Sequence, residues 1–322
     1  MAFTPRFAAS FALVMLAFLA CSSLFIGASE LSLHAIWQGN EQAWQILTVS
    51  RIPRLLAIVL AGAGLSVAGL IMQQIVQNRF ASPSTTGTID CAVLGYVAGM
   101  IFISSDALWL HFGSIFLCAM AGTLILVRFI QHLQFKNAVL VPLIGIMYGN
   151  VISAISTFIA YKYDLVQTMA TWTLANFASV LQGNYEMLFL AIPACFIAYY
   201  FARQFSAISV GKHFATNLGL NYQGLVTLGV ILVAAIAALA VMTVGVIPFI
   251  GLIVPNVVAL IMGDNLKRIL PWTAYWGVVL VLLCDVIGRI IIFPYEIPIA
   301  MIISIIGGAL FIYLILRDKR HG

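Results

Sequence analysis

Few side chains in this sequence are arranged so that they could carry out chemistry. The five histidines are scattered along the 322 residues without an i, i+4 pair, which argues against a metal or haem site. The five cysteines lack Cys-x-x-Cys spacing and lie in or beside apolar runs, so we interpret them as small packing residues. The Gly211-Lys212 pair is followed by His213 instead of Ser or Thr, so it does not form a nucleotide-binding P-loop. We therefore expect no catalytic site, no metal and no cofactor.

The elements that hold the remaining polar residues are expected to lie in a membrane. Hydrophobic residues make up 63% of the chain and charged residues 8%, whereas about 25% of a soluble domain is charged. This composition excludes a soluble enzyme, a disordered chain and a nucleic-acid-binding protein. At ~20 apolar residues for each helical crossing, the roughly 200 apolar residues allow about ten crossings. We expect an all-α, polytopic membrane protein.

Charged residues, Gly and Pro divide the chain into ten predicted transmembrane helices within a single domain. The predicted spans are approximately residues 7–27, 53–77, 86–104, 108–129, 138–160, 186–204, 223–243, 249–263, 271–292 and 298–316. Ala20-Cys21 also fits a cleaved signal, but the first run is long enough to cross and many spans follow. Residues 165–185 carry no charge but are rich in Thr, Asn, Gln and Gly, which favours a surface or re-entrant helix.

The distribution of basic residues predicts that both termini are cytoplasmic. In that orientation eleven Lys and Arg residues lie inside and four lie outside, as the positive-inside rule requires. The inner group is Arg6, Arg79, Arg128, Lys136, Arg203, Lys212, Lys267, Arg268, Arg317, Lys319 and Arg320, and the outer group is Arg51, Arg54, Lys162 and Arg289. The acids on the outer side are Glu30, Glu41, Asp106, Asp164, Glu186 and Glu296.

Four segments marked by Gly and Pro follow one another along the chain. They are Arg51-Ile-Pro-Arg54 with the run to Gly87, Val210 to Gly219, Gly245 to Asn256, and Asp285 to Arg289 with Glu296-Ile-Pro298 and Ile306 to Phe311. In this order they resemble the FecCD-type permeases, the membrane subunits of ABC importers for ferric siderophores, haem and cobalamin. The run from Asn78 to Asp90 is similar to a subgroup serving catecholate siderophores, although Asp90-Cys91 replaces a Gly-Ala pair usual in the family.

The resemblance implies a transport subunit that performs no reaction itself. It implies a bacterial inner-membrane location, two ATP-binding subunits that hydrolyse ATP, and a periplasmic or lipid-anchored substrate-binding protein. A second permease subunit completes the assembly, and we expect a paralogue of this chain in that place more than a second copy. A ferric siderophore is the expected cargo, with haem or cobalamin as the alternative. An ion-coupled secondary transporter is the alternative from another class, but Asp285 alone supplies too little intramembrane acid for it.

Three arginines on the outer side run against the positive-inside trend. The resemblance implies that Arg51, Arg54 and Arg289 dock acidic residues of the binding protein; otherwise they would be snorkelling lipid anchors. Asp285 and Arg289 are four residues apart, so they share a helix face. We expect them to form a structural ion pair, because an unpaired acid within the bilayer is costly.

Two further sets of residues are implied by the resemblance. In the cytoplasmic loop 205–222, a coupling helix would seat on the ATPase, and an interfacial helix lying on lipid is the alternative. The coupling residues are Gly211, Ala215, Leu218 and Gly219. The fifth and tenth spans would line a translocation path, and helix packing by small and polar residues is the alternative. The path residues are Asn150, Ser153 and Thr157 with Met301, Ser304 and Gly308, each set at i, i+3, i+7 spacing.

Overall fold

The computed structural model describes residues 5–27, 34, 37–105, 107–133 and 140–318, with the backbone alone at 5–11 and 314–318. Five charged residues of the topology prediction lie outside the described residues. These are Glu30, Asp106, Lys136, Lys319 and Arg320. The described part is almost entirely helical, and its only extended pairing is one isolated parallel bridge between Leu174 and Val246. The expectation of an all-α membrane fold is confirmed.

The described residues contain fourteen α-helices. They are α1 (Pro5–Phe25), α2 (Glu41–Ile46), α3 (Ile52–Val76), α4 (Thr88–Phe102), α5 (Leu108–His132), α6 (Leu140–Lys162), α7 (Val166–Thr173), α8 (Ala191–Tyr200), α9 (Ala202–Val210), α10 (Lys212–Asn217), α11 (Tyr222–Thr243), α12 (Ile250–Met262), α13 (Leu266–Ile290) and α14 (Ile299–Asp318). A π turn at Leu47–Arg51 joins α2 to α3, and 3-10 turns occur at Phe177–Ser179 and Glu186–Leu190.

Five helical units among the described residues are long and apolar enough to cross a membrane. They are Glu41–Val76, Leu108–His132, Leu140–Lys162, Tyr222–Thr243 and Leu266–Ile290. The pair Glu186–Tyr200 and Ala202–Val210, bent by 60°, makes a sixth if it is taken as one span. Shorter apolar helices occupy the other predicted spans, at Ala12–Phe25, Thr88–Phe102, Ile250–Met262 and Ile299–Tyr313. The count of ten crossings and the side of the termini stay predictions.

The second predicted span differs from the observed helix at its outer end. The sequence predicts a helix start at Pro53, but the chain is already helical from Glu41 through the π turn. Pro53 therefore lies inside a continuous helical unit, where it has no N–H to donate to the preceding turn. The Val49 carbonyl, four residues earlier, accepts instead from the backbone N–H of Gln182 at 3.0 Å. The π turn ends at Arg51, directly before α3, so Arg51 lies one helical turn from Arg54.

Helices α3 and α11 form the centre of the fold. In their most apolar windows 78% and 72% of residues are buried, against 22% for α6, so the two helices are surrounded by protein on most sides. Small residues make this possible: a Cβ on Gly69 of α3 would collide with the backbone of Gly251 in α12. α3 therefore packs backbone to backbone against its neighbours, as helices in membranes do.

The segment at 165–185 is a short structure that caps the end of α11. Its helix α7 has eight residues, far fewer than the ~20 that a crossing needs. The backbone N–H of Asn176 donates to the carbonyl of Val244 at 3.1 Å, and the ring of Trp172 stacks on Tyr96 with 4.0 Å between centroids.

Candidate functional site

A network of five charged side chains lies at one end of the fold, where α1, α3 and α13 meet. Arg54, in the first turn of α3, donates from Nη2 to Asp285 Oδ1 at 2.7 Å and from Nη1 to Glu296 Oε2 at 2.8 Å. Asp285 belongs to α13, and Glu296 follows in the turn before α14. One guanidinium therefore holds two acids that come from different parts of the chain.

Arg289 and Arg51 extend the network to the end of α1. Arg289 forms an ion pair with Asp285 through the i, i+4 spacing on α13, and its Nη1 donates to the carbonyls of Ser23 at 2.8 Å and Ile26 at 2.6 Å. Arg51 Nη1 donates to the Ile26 carbonyl as well. These carbonyls lie in the last turn of α1 and just beyond it, where a helix has free acceptors. The arginines thus attach α1 to the rest of the fold.

The network is almost closed to solvent in the single chain. The exposed fractions are 6% for Arg51, 8% for Arg54, 3% for Asp285 and 2% for Arg289. Three bases and two acids leave a net charge of one positive unit. Free exposure of the three arginines is inconsistent with the structure of the single chain, because internal acids and carbonyls occupy them. Snorkelling to lipid is equally inconsistent with this burial, and a docking role stays a prediction.

The predicted coupling residues lie where α9 and α10 turn back toward α11. Gly211 (φ 136°) separates α9 from α10, and Gly219 (φ 76°) follows α10; both φ values strongly favour glycine. Ala215 is fully buried, whereas Leu218 is 58% exposed. Apolar side chains that point away from the chain on a rigid helical turn suit contact with another protein or with lipid.

Polar side chains tie this turn to the end of α3, which the sequence analysis did not foresee. Gln77 Nε2 donates to the carbonyl of Ile208 in α9 at 3.0 Å. Gln73 and Asn256 both donate to the carbonyl of Arg79, at 2.9 and 2.8 Å. These contacts surround a cavity of about 370 Å³ between α3, α9, α12 and α13. Asn256 is the last residue of the third motif segment, and its contact with the Arg79 carbonyl, 177 residues away along the chain, was not predictable from spacing.

The two predicted path stripes lie on helices at the edge of the fold. Asn150 and Thr157 of α6 are exposed, and Ser153 is half-buried. On α14, Met301 is 55% exposed, Ser304 is half-buried, and a Cβ on Gly308 would meet nothing within 4 Å. Both stripes therefore face away from the core and could line a space shared with another subunit.

A polar segment packs against α6 beside its stripe. Ser82, Thr85, Thr86 and Thr88 lie here, and the Thr123 hydroxyl donates to Thr88 Oγ1 at 2.8 Å. At the end of the segment, the half-buried carboxylate of Asp90 lies so close to Gly149 that a Cβ there would be 2.5 Å from Oδ2. An acid is costly in contact with lipid, which favours an aqueous or protein-lined space beside Asp90 and Gly149.

Comparison with known proteins agrees with this arrangement of helices. Residues 15–317 match the model of the FecCD transport family. This chain belongs to the FecCD transport family. It is therefore a permease subunit and a multi-pass membrane protein, as the four motif segments indicated.

Two relatives of the chain match over nearly their full lengths. The petrobactin import system permease protein YclN of Bacillus subtilis is 44% identical, over 96% of this chain and 98% of YclN. The ferric-anguibactin transport system permease protein FatD of Vibrio anguillarum is 40% identical, over 97% and 99%. Among solved structures, an inward-facing metal-chelate type ABC transporter superposes with a TM-score of 0.80 and 26% identity, covering 98% of this chain and 100% of that chain.

Proposed function

We propose that this chain is the permease subunit of an ATP-driven importer that carries a ferric siderophore across the bacterial inner membrane. The observation that carries this proposal is the pair of near-complete matches, at 44% and 40% identity, to permeases named for petrobactin and ferric-anguibactin. Haem and cobalamin remain the competing cargoes within the family.

ATP hydrolysis belongs to a separate pair of ATP-binding subunits in this proposal. The exposed apolar side chains of Phe214 in α10 and Leu218 after it support a contact with an ATPase at this turn. Both lie between Gly211 and Gly219, whose positive φ values define the turn. The Gln77 contact to Ile208 supports transmission of ATPase movement into α3, because the side chain joins α9 directly to the central helix.

The translocation path lies between two permease subunits, one of them this chain and the other a paralogue. The outward-facing stripes on α6 and α14 support this, and Asp90 adds a charge beside the α6 stripe. The hydroxyl of Thr157 donates to the Ser153 carbonyl, and that of Ser304 donates to the Ala300 carbonyl, each within its own helix. With their hydrogens used in this way, these hydroxyls would bind the cargo weakly. Weak contacts suit a passage that must release its cargo.

Docking of the binding protein takes place over the charged network. Its net positive charge and the partial exposure of Glu296, whose side chain is 22% exposed, support an outer surface that acids of the binding protein can reach. Those acids would compete with Glu296 for Arg54, so the docked state exchanges one ion pair for another.

Transport by the reconstituted complex tests the proposed function. The permease pair, its ATPase and its binding protein are placed in proteoliposomes and supplied with ferric petrobactin, haemin or cobalamin. We expect uptake of the ferric siderophore that needs ATP and the binding protein. Uptake driven by an ion gradient without ATP would contradict the ABC mechanism, and uptake of haemin or cobalamin in preference would contradict the cargo.

A further inference from the structure

An apolar groove and a basic cavity lie next to each other along α8. The groove, of about 510 Å³, lies between α3, α8 and α13 and is lined by apolar side chains such as Leu60, Ala63 and Cys195. Its volume falls within the range of ligand sites, roughly 300–1,000 Å³. The basic cavity, of about 690 Å³, lies at the bend after α8 and is lined by Arg203, Gln204 and Lys267. Phe196 and Tyr199 line both, so the two cavities are adjacent.

The two basic side chains of the basic cavity are available to bind an anion. Arg203 and Lys267 are exposed, and neither forms a salt bridge with any residue that the structure describes. Lys267 Nζ lies 5.8 Å from the centroid of the Tyr199 ring, at the boundary with the groove. Gln204 Oε1 is buried and accepts no hydrogen bond from the described part of the chain.

We propose that groove and cavity together form a binding site for an anionic phospholipid. An acyl chain lies in the groove, the phosphate lies between Arg203 and Lys267, and a headgroup hydroxyl donates to Gln204 Oε1. Lipid tails of any kind can fill an apolar groove in a bilayer, so selection comes from the two cations and the unpaired acceptor. Basic pockets between transmembrane helices on the cytoplasmic side bind anionic headgroups for this reason. The charge count predicts that both bases lie on that side.

Lipid binding by the purified permease complex tests this proposal. The complex is transferred into nanodiscs of phosphatidylcholine with a small fraction of phosphatidylglycerol, and co-purified lipid is measured by mass spectrometry. We expect phosphatidylglycerol to be enriched with the parent complex. In the double variant Arg203→Gln with Lys267→Gln, the enrichment should fall about tenfold, because hydrogen bonds from charged donors stabilise a bound phosphate more than neutral ones do. Arg268→Gln is the matched control, because Arg268 is an exposed base next to Lys267 that lines neither cavity.

A second variant tests the groove separately from the charges. Ala63→Phe places a ring in the groove and should reduce phosphatidylglycerol retention while both bases remain. Glycerol phosphate without acyl chains should fail to compete. Equal retention in the double variant and in Arg268→Gln would overturn the proposal, as would effective competition by glycerol phosphate. Because the readout is bound lipid, the outcome is independent of which cargo the permease carries.

Discussion

Asp285 is the residue on which the charged network depends. Its carboxylate accepts from both Arg54 and Arg289, and all three side chains are nearly inaccessible to solvent. The i, i+4 spacing predicts the contact with Arg289 from sequence alone. The contact with Arg54 spans 231 residues, and no local pattern carries information about it. The contact between neighbours in sequence was thus predictable. The contact of Asp285 with two arginines could be recognised only from the packed fold.

Replacement of Asp285 tests this hub role. Asp285→Asn leaves the buried guanidinium of Arg289 without an acid and leaves Arg54 with Glu296 alone, and breaking a buried pair costs roughly 3–5 kcal/mol. We expect a clear drop in the thermal unfolding midpoint of the detergent-purified complex. Glu296→Gln should have a smaller effect, because Glu296 is more exposed and pairs with one arginine. Equal midpoints for Asp285→Asn and the parent would contradict a stabilising network.

The same Glu296 variant separates two forms of the docking proposal. If acids of the binding protein compete with Glu296 for Arg54, then Glu296→Gln should tighten docking up to about fivefold, the equivalent of a partly exposed pair worth ~1 kcal/mol. Binding-protein affinity in nanodiscs at low and high salt gives the answer, with Glu186→Gln as the control acid elsewhere on the predicted outer side. Weaker docking would mean that Glu296 itself contacts the binding protein.

At the level of helices, composition and charge were sufficient to predict most helices. They did not predict irregularities of the backbone within and between those helices. The runs free of charge coincide with long helices at residues 108–132, 140–162 and 222–243, whereas the unit Glu41–Val76 begins twelve residues before the predicted start at Pro53. The π turn before α3 and the 60° bend after α8 were not foreseen, since both depend on how neighbouring helices pack. The short segment at 165–185 was recognised because its Thr, Asn and Gln content is unlike that of a span.

The turn after α10 offers a test of the coupling proposal. Gly219 has φ 76°, which a β-branched residue adopts only with strain, of order 1–3 kcal/mol. Gly219→Val should therefore displace α10 and reduce ATPase co-purification or uncouple ATP hydrolysis from uptake. Gly183→Val is the matched control: Gly183 has φ 100°, with open space around it, in the segment that caps α11. Normal uptake and normal ATPase recovery in Gly219→Val would contradict the coupling assignment.

In the molecule as a whole, the central and peripheral helices differ in how much of their surface other helices cover, and this difference supports the proposed translocation path. α3 and α11 are enclosed by protein, whereas α6 and α14 direct their polar stripes outward. Composition predicted a membrane protein and motif order predicted its family. Neither could show which helix faces were free, because apolar residues cover both the interior and the lipid-facing surface of such a fold.

Thiol accessibility distinguishes a water-filled path from a packing surface. In a variant without the five native cysteines, Asn150→Cys and Ser304→Cys should react with a charged, water-soluble thiol reagent, and ATP or cargo should change the rate. Ser156→Cys is the control on α6, because Ser156 is only 1% exposed. If Asn150→Cys and Ser304→Cys are as unreactive as Ser156→Cys in every nucleotide state, the stripes are packing surfaces.

The long separation between Arg54 and Asp285 also bears on how the chain is made. In the predicted orientation, Arg51 and Arg54 oppose the positive-inside rule when this part of the chain leaves the ribosome, and Asp285, which pairs with Arg54, lies 231 residues further on. At translation rates of ~5–20 residues per second, that interval is roughly 10–50 s. During this time the nascent chain has to hold α3 in place through its neighbours alone. The contact between Arg54 and Asp285 can therefore form only after α13 has been synthesised.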